Sequence, residues 1–167
     1  YRHEQLLFAH QNPIWVHAVS VGETRAAQPL IEELLKRGES IVLTHMTVTG
    51  RAAGAQVYAQ AIQSGRLLQL YLPYDFSWLV KSFYQQLNLK MGLIMETEVW
   101  PRLLLEAETK KLNVFLVNAR LSEKSFKNFS NYGFLAQSVL RKFKKILAQT
   151  TLDENRFMRL GCDQVVV

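Results

Sequence analysis

One cysteine in 167 residues, Cys162, rules out a disulfide framework and a cysteine-rich zinc site, since each needs at least a pair at defined spacing. A reducing compartment is the matching expectation. Four histidines, His3, His10, His17 and His45, show no HExxH spacing, and no acidic run has the layout of a calcium loop. No metal is expected. No apolar stretch approaches the ~20 residues that span a bilayer, and the N-terminus lacks the basic, apolar and small-residue zones of a signal peptide. As given, the chain is therefore expected to be soluble. Neither GxGxxG nor GxxxxGK[ST] occurs, so no dinucleotide fingerprint or P-loop can be assigned.

What is present is a 49% hydrophobic chain, enough for one well-buried core and short for two. A single domain over residues 1–167 is the expectation. The net charge of +6 is uneven: residues 102–145 hold ten Lys or Arg against Glu106, Glu108 and Glu123. A concentrated basic segment implies an anionic partner, phosphate or an acidic membrane surface, although a solvated helical face also accounts for it. Interleaved basic and aromatic residues carry no recognised nucleic-acid motif, and no nucleic-acid partner is expected.

Along the chain one rhythm repeats: a short apolar run, a turn signal, then a longer segment at helical spacing. That rhythm predicts an α/β fold, Rossmann-like, with helices on both faces of a parallel sheet. The predicted strands are 14–20, 40–47, 67–73, 91–97, 114–119, 145–149 and 164–167. Between them Ala27, Leu30, Ile31, Leu34 and Leu35 share a helical face that Gly38 ends, with a late start or kink expected at Pro29. Asp75 is the expected N-cap of a helix carrying Phe76, Leu79, Val80, Phe83 and Leu87. A further helix is expected to open near Pro101 with Leu103, Leu104 and Leu105 inward. Segments 123–142 and 153–160 are predicted helical as well. Trp15, Trp78 and Trp100, with Phe126, Phe129 and Tyr132, are expected in core or interface packing. The chain stops on the apolar "QVVV", which suggests a domain cut from a longer protein.

In open parallel sheets ligands bind beyond the carboxyl ends of the strands. Those tips read "SVGET" (20–24), "MTVTGR" (46–51), "PYD" (73–75), "ETEVWPR" (96–102), "NARLS" (118–122) and "QTTLDE" (149–154). Gly22 sits where backbone can approach a ligand closely. Glu23 falls at a helix start, where the dipole favours an ionised carboxylate by ~0.3–1 kcal/mol. Such a group can serve as a general base, or merely complement the dipole. Glu96 and Glu98 lie at i, i+2, a spacing that in extended chain points both the same way, so that paired acids divide acid and base roles or fix hydroxyls. Either is equally suited to bind backbone N–H groups of the next turn. "TVTGR" offers hydroxyls, a glycine and a cation beside a helix start, a setting suited to phosphate or carboxylate. His17 and His45 lie within strands, the ordinary place for a core histidine.

In order and at similar spacing, residues 16–24 "VHAVSVGET", 46–51 "MTVTGR", 71–75 "YLPYD", 94–102 "IMETEVWPR", 118–125 "NARLSEKS" and 148–161 "AQTTLDENRFMRLG" resemble the N-terminal half of the Kdo transferases. Those enzymes attach 3-deoxy-D-manno-octulosonic acid (Kdo) to the lipid A precursor in Gram-negative bacteria. The resemblance implies a GT-B glycosyltransferase, with two Rossmann-like domains facing across a cleft. The acceptor would bind mainly to the N-terminal domain, here residues 1–167, and CMP-Kdo to a C-terminal domain beyond "QVVV". A membrane anchor at the cytoplasmic face of the inner membrane would precede "YRH". By the same resemblance Glu23 is the proton acceptor and Glu96 a carboxylate stabilising the transition state. Ser20, Gly22, Thr49, Gly50, Arg51, Glu98, Asn118 and Arg120 are the implied substrate-binding residues. The implied partners are the lipid A precursor, CMP-Kdo through the second domain, and an anionic membrane surface touched by the basic 102–145 segment. No cofactor or metal is implied, and the chain alone is expected to be inactive. Val99 and Arg102 depart from the family's usual leucine and asparagine, and Arg102 adds a cation beside the site. Two alternatives share the sequence features: the acceptor domain of another GT-B sugar transferase or a nucleotide-sugar epimerase, and a non-catalytic Rossmann-like module whose glutamates are all structural.

Overall fold

A computed structural model describes residues 12–167; His3 and His10, and the chain start at "YRH", lie outside the described residues. Seven strands form one sheet in the order β3-β2-β1-β4-β5-β6-β7, the parallel α/β architecture that the alternating rhythm predicts. The chain divides within β4 (Met91–Met95) into two compact units, one ending at Leu93 and the other beginning at Ile94.

In the first unit, β1 (Ile14–His17), β2 (Ile41–His45) and β3 (Leu67–Tyr71) pair in parallel, Ile14 opposite Ile41 and Ile41 opposite Leu67. Every residue of β1 and β2 is buried, which is why both read as unbroken apolar runs rather than alternating ones. Trp15 anchors this core: its indole N–H donates to Thr44 Oγ1 at 2.8 Å, and its ring meets Phe83 and Tyr84 edge-on at 5.5 and 6.2 Å. The connections are α1 (Val21–Ala26), α2 (Gln28–Lys36), α3 (Val48–Val57), α4 (Ala59–Gln63) and α5 (Ser77–Gln86). Pro29 supplies no N–H, so the helix after Glu23 stops at Ala27 and a second one starts, with Pro29 in its first turn.

Asp75 is not the cap of α5. The N-cap is Phe76, because the Phe76 N–H donates to the Tyr74 carbonyl at 2.7 Å in a tight turn that carries the helix start one residue further. Apart from the 114–119 strand, which is found with those bounds, the strands end before their apolar runs do. β1 ends at His17, since Ser20 already serves as N-cap of α1.

In the second unit β5 (Val114–Ala119), β6 (Lys145–Ala148) and β7 (Val165–Val166) are parallel, joined by α6 (Pro101–Thr109), α7 (Glu123–Tyr132), α8 (Phe134–Leu140) and α9 (Thr151–Arg159). The single helix expected over 123–142 is two, because Gly133 adopts φ 47° between them. Leu103 and Leu104 are buried as expected, whereas Leu105 is exposed. Trp78 and Tyr132 are 71% and 69% exposed and belong to no core. Cys162 is buried, its thiol pushed up to about 11 by desolvation, so it is no nucleophile.

Candidate active site

In the first unit, the tip of β1 is built around one carboxylate. Ser20 caps α1: its Oγ accepts the Glu23 N–H at 3.3 Å and donates to Glu23 Oε1 at 3.0 Å. Glu23 Oε2 accepts the Val19 N–H at 2.9 Å, so the acid reaches back over the turn in a variant of the capping box. The residue is only 7% exposed. Thr24, fully buried, donates to the Ser20 carbonyl at 2.8 Å, and Thr47, the N-cap of α3, donates to the Val19 carbonyl at 2.8 Å while accepting from Gly50 N–H at 3.0 Å. The backbone of Val19 and Ser20 is thereby gripped from both helices.

The two glycines of these turns differ in kind. A Cβ at Gly50 would stand 2.7 Å from the Val19 carbonyl oxygen, so α3 can abut the β1 turn only with glycine there. A Cβ at Gly22 would meet nothing nearer than Ser20 Oγ at 3.8 Å; nothing within the chain requires that glycine. Gly22 and Thr49 are exposed. Arg51 points elsewhere, its guanidinium 5.4 Å from the centre of the Tyr71 ring at the β3 edge.

Beneath α3 lies a buried polar cluster. His45 Nδ1 donates to the Ala18 carbonyl at 2.9 Å, leaving Nε2 to accept from Gln69 Nε2 at 2.9 Å. Gln69 also donates to the Arg51 carbonyl at 3.2 Å. Burial, together with the Arg51 charge, holds His45 below its ordinary pKa despite the Ala18 bond. His17 goes further, to about 4, driven by burial against the opposing bond to Thr44, with His45 adding to the depression. Both are neutral core histidines.

In the second unit the β4 tip bends at once. Glu96 has φ 56° and Asn118, in β5, φ 53°, left-handed conformations that each cost a non-glycine residue about 1 kcal/mol or more. The i, i+2 argument for Glu96 and Glu98 needed extended chain and therefore fails: the backbone turns at the first of the pair. Glu96 N–H still reaches the Val117 carbonyl at 3.0 Å. Asn118 sits where the β5–β6 register slips between Leu116 and Ala119. Glu98 is half-buried; desolvation raises its pKa, the Trp100 indole N–H at 2.9 Å opposes the rise, and the neighbouring Glu96 charge adds to it. Trp100 thus orients a carboxylate instead of filling the core. Thr97 donates to the Arg120 carbonyl at 3.0 Å, tying the β4 tip to the β5 tip, and the Arg120 side chain is exposed.

Among the described residues no three His, Cys, Asp or Glu side chains gather as a metal site would require, and no helix is long and apolar enough to cross a membrane.

The sequence profile of 3-Deoxy-D-manno-octulosonic-acid transferase (kdotransferase) matches residues 2–167. The chain belongs to the Kdo transferase family. A Bordetella pertussis 3-deoxy-D-manno-octulosonic acid transferase is 43% identical over 93% of this chain and 36% of its own length. That of Rickettsia felis is 31% identical over 92% and 32%. The chain thus spans about a third of the length of these curated Kdo transferases. Among solved structures, the UDP-GlcNAc 2-epimerase of Neisseria meningitidis superposes with a TM-score of 0.57 at 13% identity, over 93% of this chain and 45% of its own. That likeness speaks to the Rossmann-like α/β fold alone.

For this Kdo transferase chain, the first unit brings Ser20 and Glu23 into one hydrogen-bonded group and sets Gly22, Thr49 and Gly50 on the two helix starts beside it. It does not bring Arg51 into that group. Residues that sequence reasoning passed over are Thr47, which locks the β1 turn, and Asp153 with Arg156 in the second unit. Asp153 Oδ1 accepts the Leu121 N–H at 2.8 Å and Oδ2 the Thr150 hydroxyl; Arg156 donates to the Leu121 carbonyl at 2.8 Å and pairs with Glu123 at 3.1 Å. The signal was there in "TTLD", the same S/T-x-x-D/E signature as "SVGE".

Proposed function

We propose that this chain is the acceptor-binding, base-carrying N-terminal half of an inverting glycosyltransferase that moves Kdo from CMP-Kdo to the lipid A precursor. The observation that carries the reading is the Glu23 carboxylate, fixed at the carboxyl end of β1 by the Val19 N–H and the Ser20 hydroxyl. An acceptor hydroxyl would hydrogen-bond to one carboxylate oxygen and lose its proton to it as its own oxygen attacks the anomeric carbon of Kdo. CMP departs from the opposite face, and the configuration inverts. Glu96 would face the positive charge that develops on the sugar, and Glu98, whose raised pKa eases protonation, would bind a hydroxyl. The exposed Gly22 and Thr49, with Gly50, Asn118 and Arg120, would border the acceptor. The donor would sit on a further domain, so the chain alone transfers nothing. No metal enters this chemistry. The enzyme would work at the cytoplasmic face of the bacterial inner membrane, against an anionic lipid surface.

Asp153 favours a second reading, in which Glu23 is only a cap: it occupies the equivalent place in the β6 turn and is held in the same way by a neighbouring N–H and hydroxyl. Glu23→Gln in the whole transferase separates the two. The amide keeps the shape and an acceptor for Val19 N–H but is no base. The expected result is a fall in kcat of ~10²–10⁴ with the melting temperature changed by only a few degrees; wild-type kcat in that variant would leave Glu23 as a cap.

A further inference from the structure

In the first unit, a cavity of about 370 Å³ opens beside edge strand β3, between α3 and α5. Leu70, Tyr71, Pro73, Leu79 and Phe83 make most of its wall, Gln69, Ser82 and Gln86 add amide and hydroxyl groups, and no acidic residue lines it. Arg51 also lines it, its Nε buried without a hydrogen-bond partner. A buried guanidinium N–H lacking an acceptor is a costly arrangement that a ligand oxygen would relieve. From the end of β3 to the start of α5 the chain exposes large side chains: Tyr71, Tyr74, Phe76 and Trp78 are 48%, 67%, 61% and 71% exposed. The volume falls within the range of small-molecule sites, and a mainly apolar wall with one cation whose Nε is buried suits an amphiphile.

We propose that this cavity binds an acyl chain of the acceptor, with Arg51 donating to an oxygen at the polar end of that chain. The inference rests on the acceptor-binding reading above and adds to it a lipid subsite. Its position fits. β1 and β3 flank β2 on opposite sides, so the cavity lies two strand spacings, roughly 10 Å, from the Glu23 turn at the same end of the strands. A sugar at Glu23 can therefore extend an acyl arm across the β2 tip into the trough. Arg51, which the helix start at Thr47 does not use for the sugar, then has a partner.

The test combines direct binding with kinetics. Titrating the chain with dodecanoate by isothermal titration calorimetry should show saturable binding that Arg51→Met and Leu79→Trp each weaken tenfold or more; circular dichroism checks that both variants fold. In the whole transferase the same variants should raise the KM for the acylated acceptor tenfold or more with a smaller change in kcat. Absence of saturable dodecanoate binding, or equal binding by both folded variants, overturns the cavity as an acyl site whatever the enzyme's reaction. Weakened dodecanoate binding with an unchanged KM overturns the acceptor as the source of the chain. Loss of Kdo transfer in wild type would bear on the catalytic reading and leave the binding result standing.

Discussion

Glu23 and Asp153 do the same local job, closing the turn after a strand, and they differ in what surrounds them. Asp153 binds the Leu121 N–H of the neighbouring loop. Glu23 binds a peptide of its own turn, beside Gly22, a residue whose missing side chain no neighbour demands. The glycines give a paired prediction. Gly50→Ala should destabilise by ~1–3 kcal/mol, since the added methyl meets the Val19 carbonyl. Gly22→Ala should leave stability unchanged or raise it by ~0.5 kcal/mol. Urea midpoints decide, and a Gly22→Ala protein that folds normally but transfers poorly would mark Gly22 as making room for substrate. His17 gives a pH prediction. Its native pKa of about 4 lies below the unfolded value of 6.5, so between these limits the unfolded chain binds more protons. Stability is then full above pH 6.5 and falls as the pH drops toward 4, at up to ~1.4 kcal/mol per unit, because a protonated ring would bury an Nε2–H with no acceptor. The unfolding free energy against pH should lose that part of its slope in His17→Gln; an unaltered slope would assign the effect elsewhere.

At the level of elements, four helices end in the same way, with the C″ and C′ N–H groups turned back onto the last carbonyls in a Schellman arrangement. Three of them place glycine at the left-handed position, Gly38, Gly65 and Gly161, while α6 places Lys111 there at φ 55°. Lys111→Gly is accordingly expected to stabilise by ~0.5–1 kcal/mol, read as a raised urea midpoint; a loss would mean that the lysine side chain makes a contact worth more than the backbone strain. The elements also show where sequence patterning succeeds and stops. Core strands such as β1 and β2 are legible because burial on both faces leaves an apolar run, and the break at Pro29 follows from a missing N–H. The cap of α5 was not legible: Asp75 has the right chemistry, but the turn from Tyr74 to Phe76 places the start beyond it. Nor was the bend at Glu96, a left-handed conformation that nothing in "METE" announces.

At the scale of the whole molecule, charge that looks continuous in sequence is separated in space. Within the second unit Arg102, Arg120 and Lys124 adjoin the carboxyl ends of β4 and β5, whereas Lys110, Lys111, Arg141, Lys142, Lys144 and Lys145 lie before or at the amino ends of β5 and β6. Strands of four to six residues hold these groups roughly 13–20 Å apart, beyond the ~8 Å Debye length at physiological salt. The 102–145 segment is therefore not one basic face. If an anionic membrane presents the acceptor to the strand tips, charge reversal at Arg120 and Lys124 should weaken binding to anionic phospholipid vesicles several-fold, and reversal at Lys142, Lys144 and Lys145 should weaken it little. The opposite pattern, read by vesicle flotation, would place the membrane at the other pole. The sequence by itself determined the alternation of strand and helix, the parallel sheet and the tips where polar groups collect, because hydrophobic periodicity and turn chemistry are local properties of the chain. Only the tertiary structure decided which of those polar groups meet. Glu23 joins Val19 and Ser20, Arg51 turns to Tyr71, and Asp153 serves a loop 32 residues away, since side-chain direction and burial depend on neighbours brought together by folding.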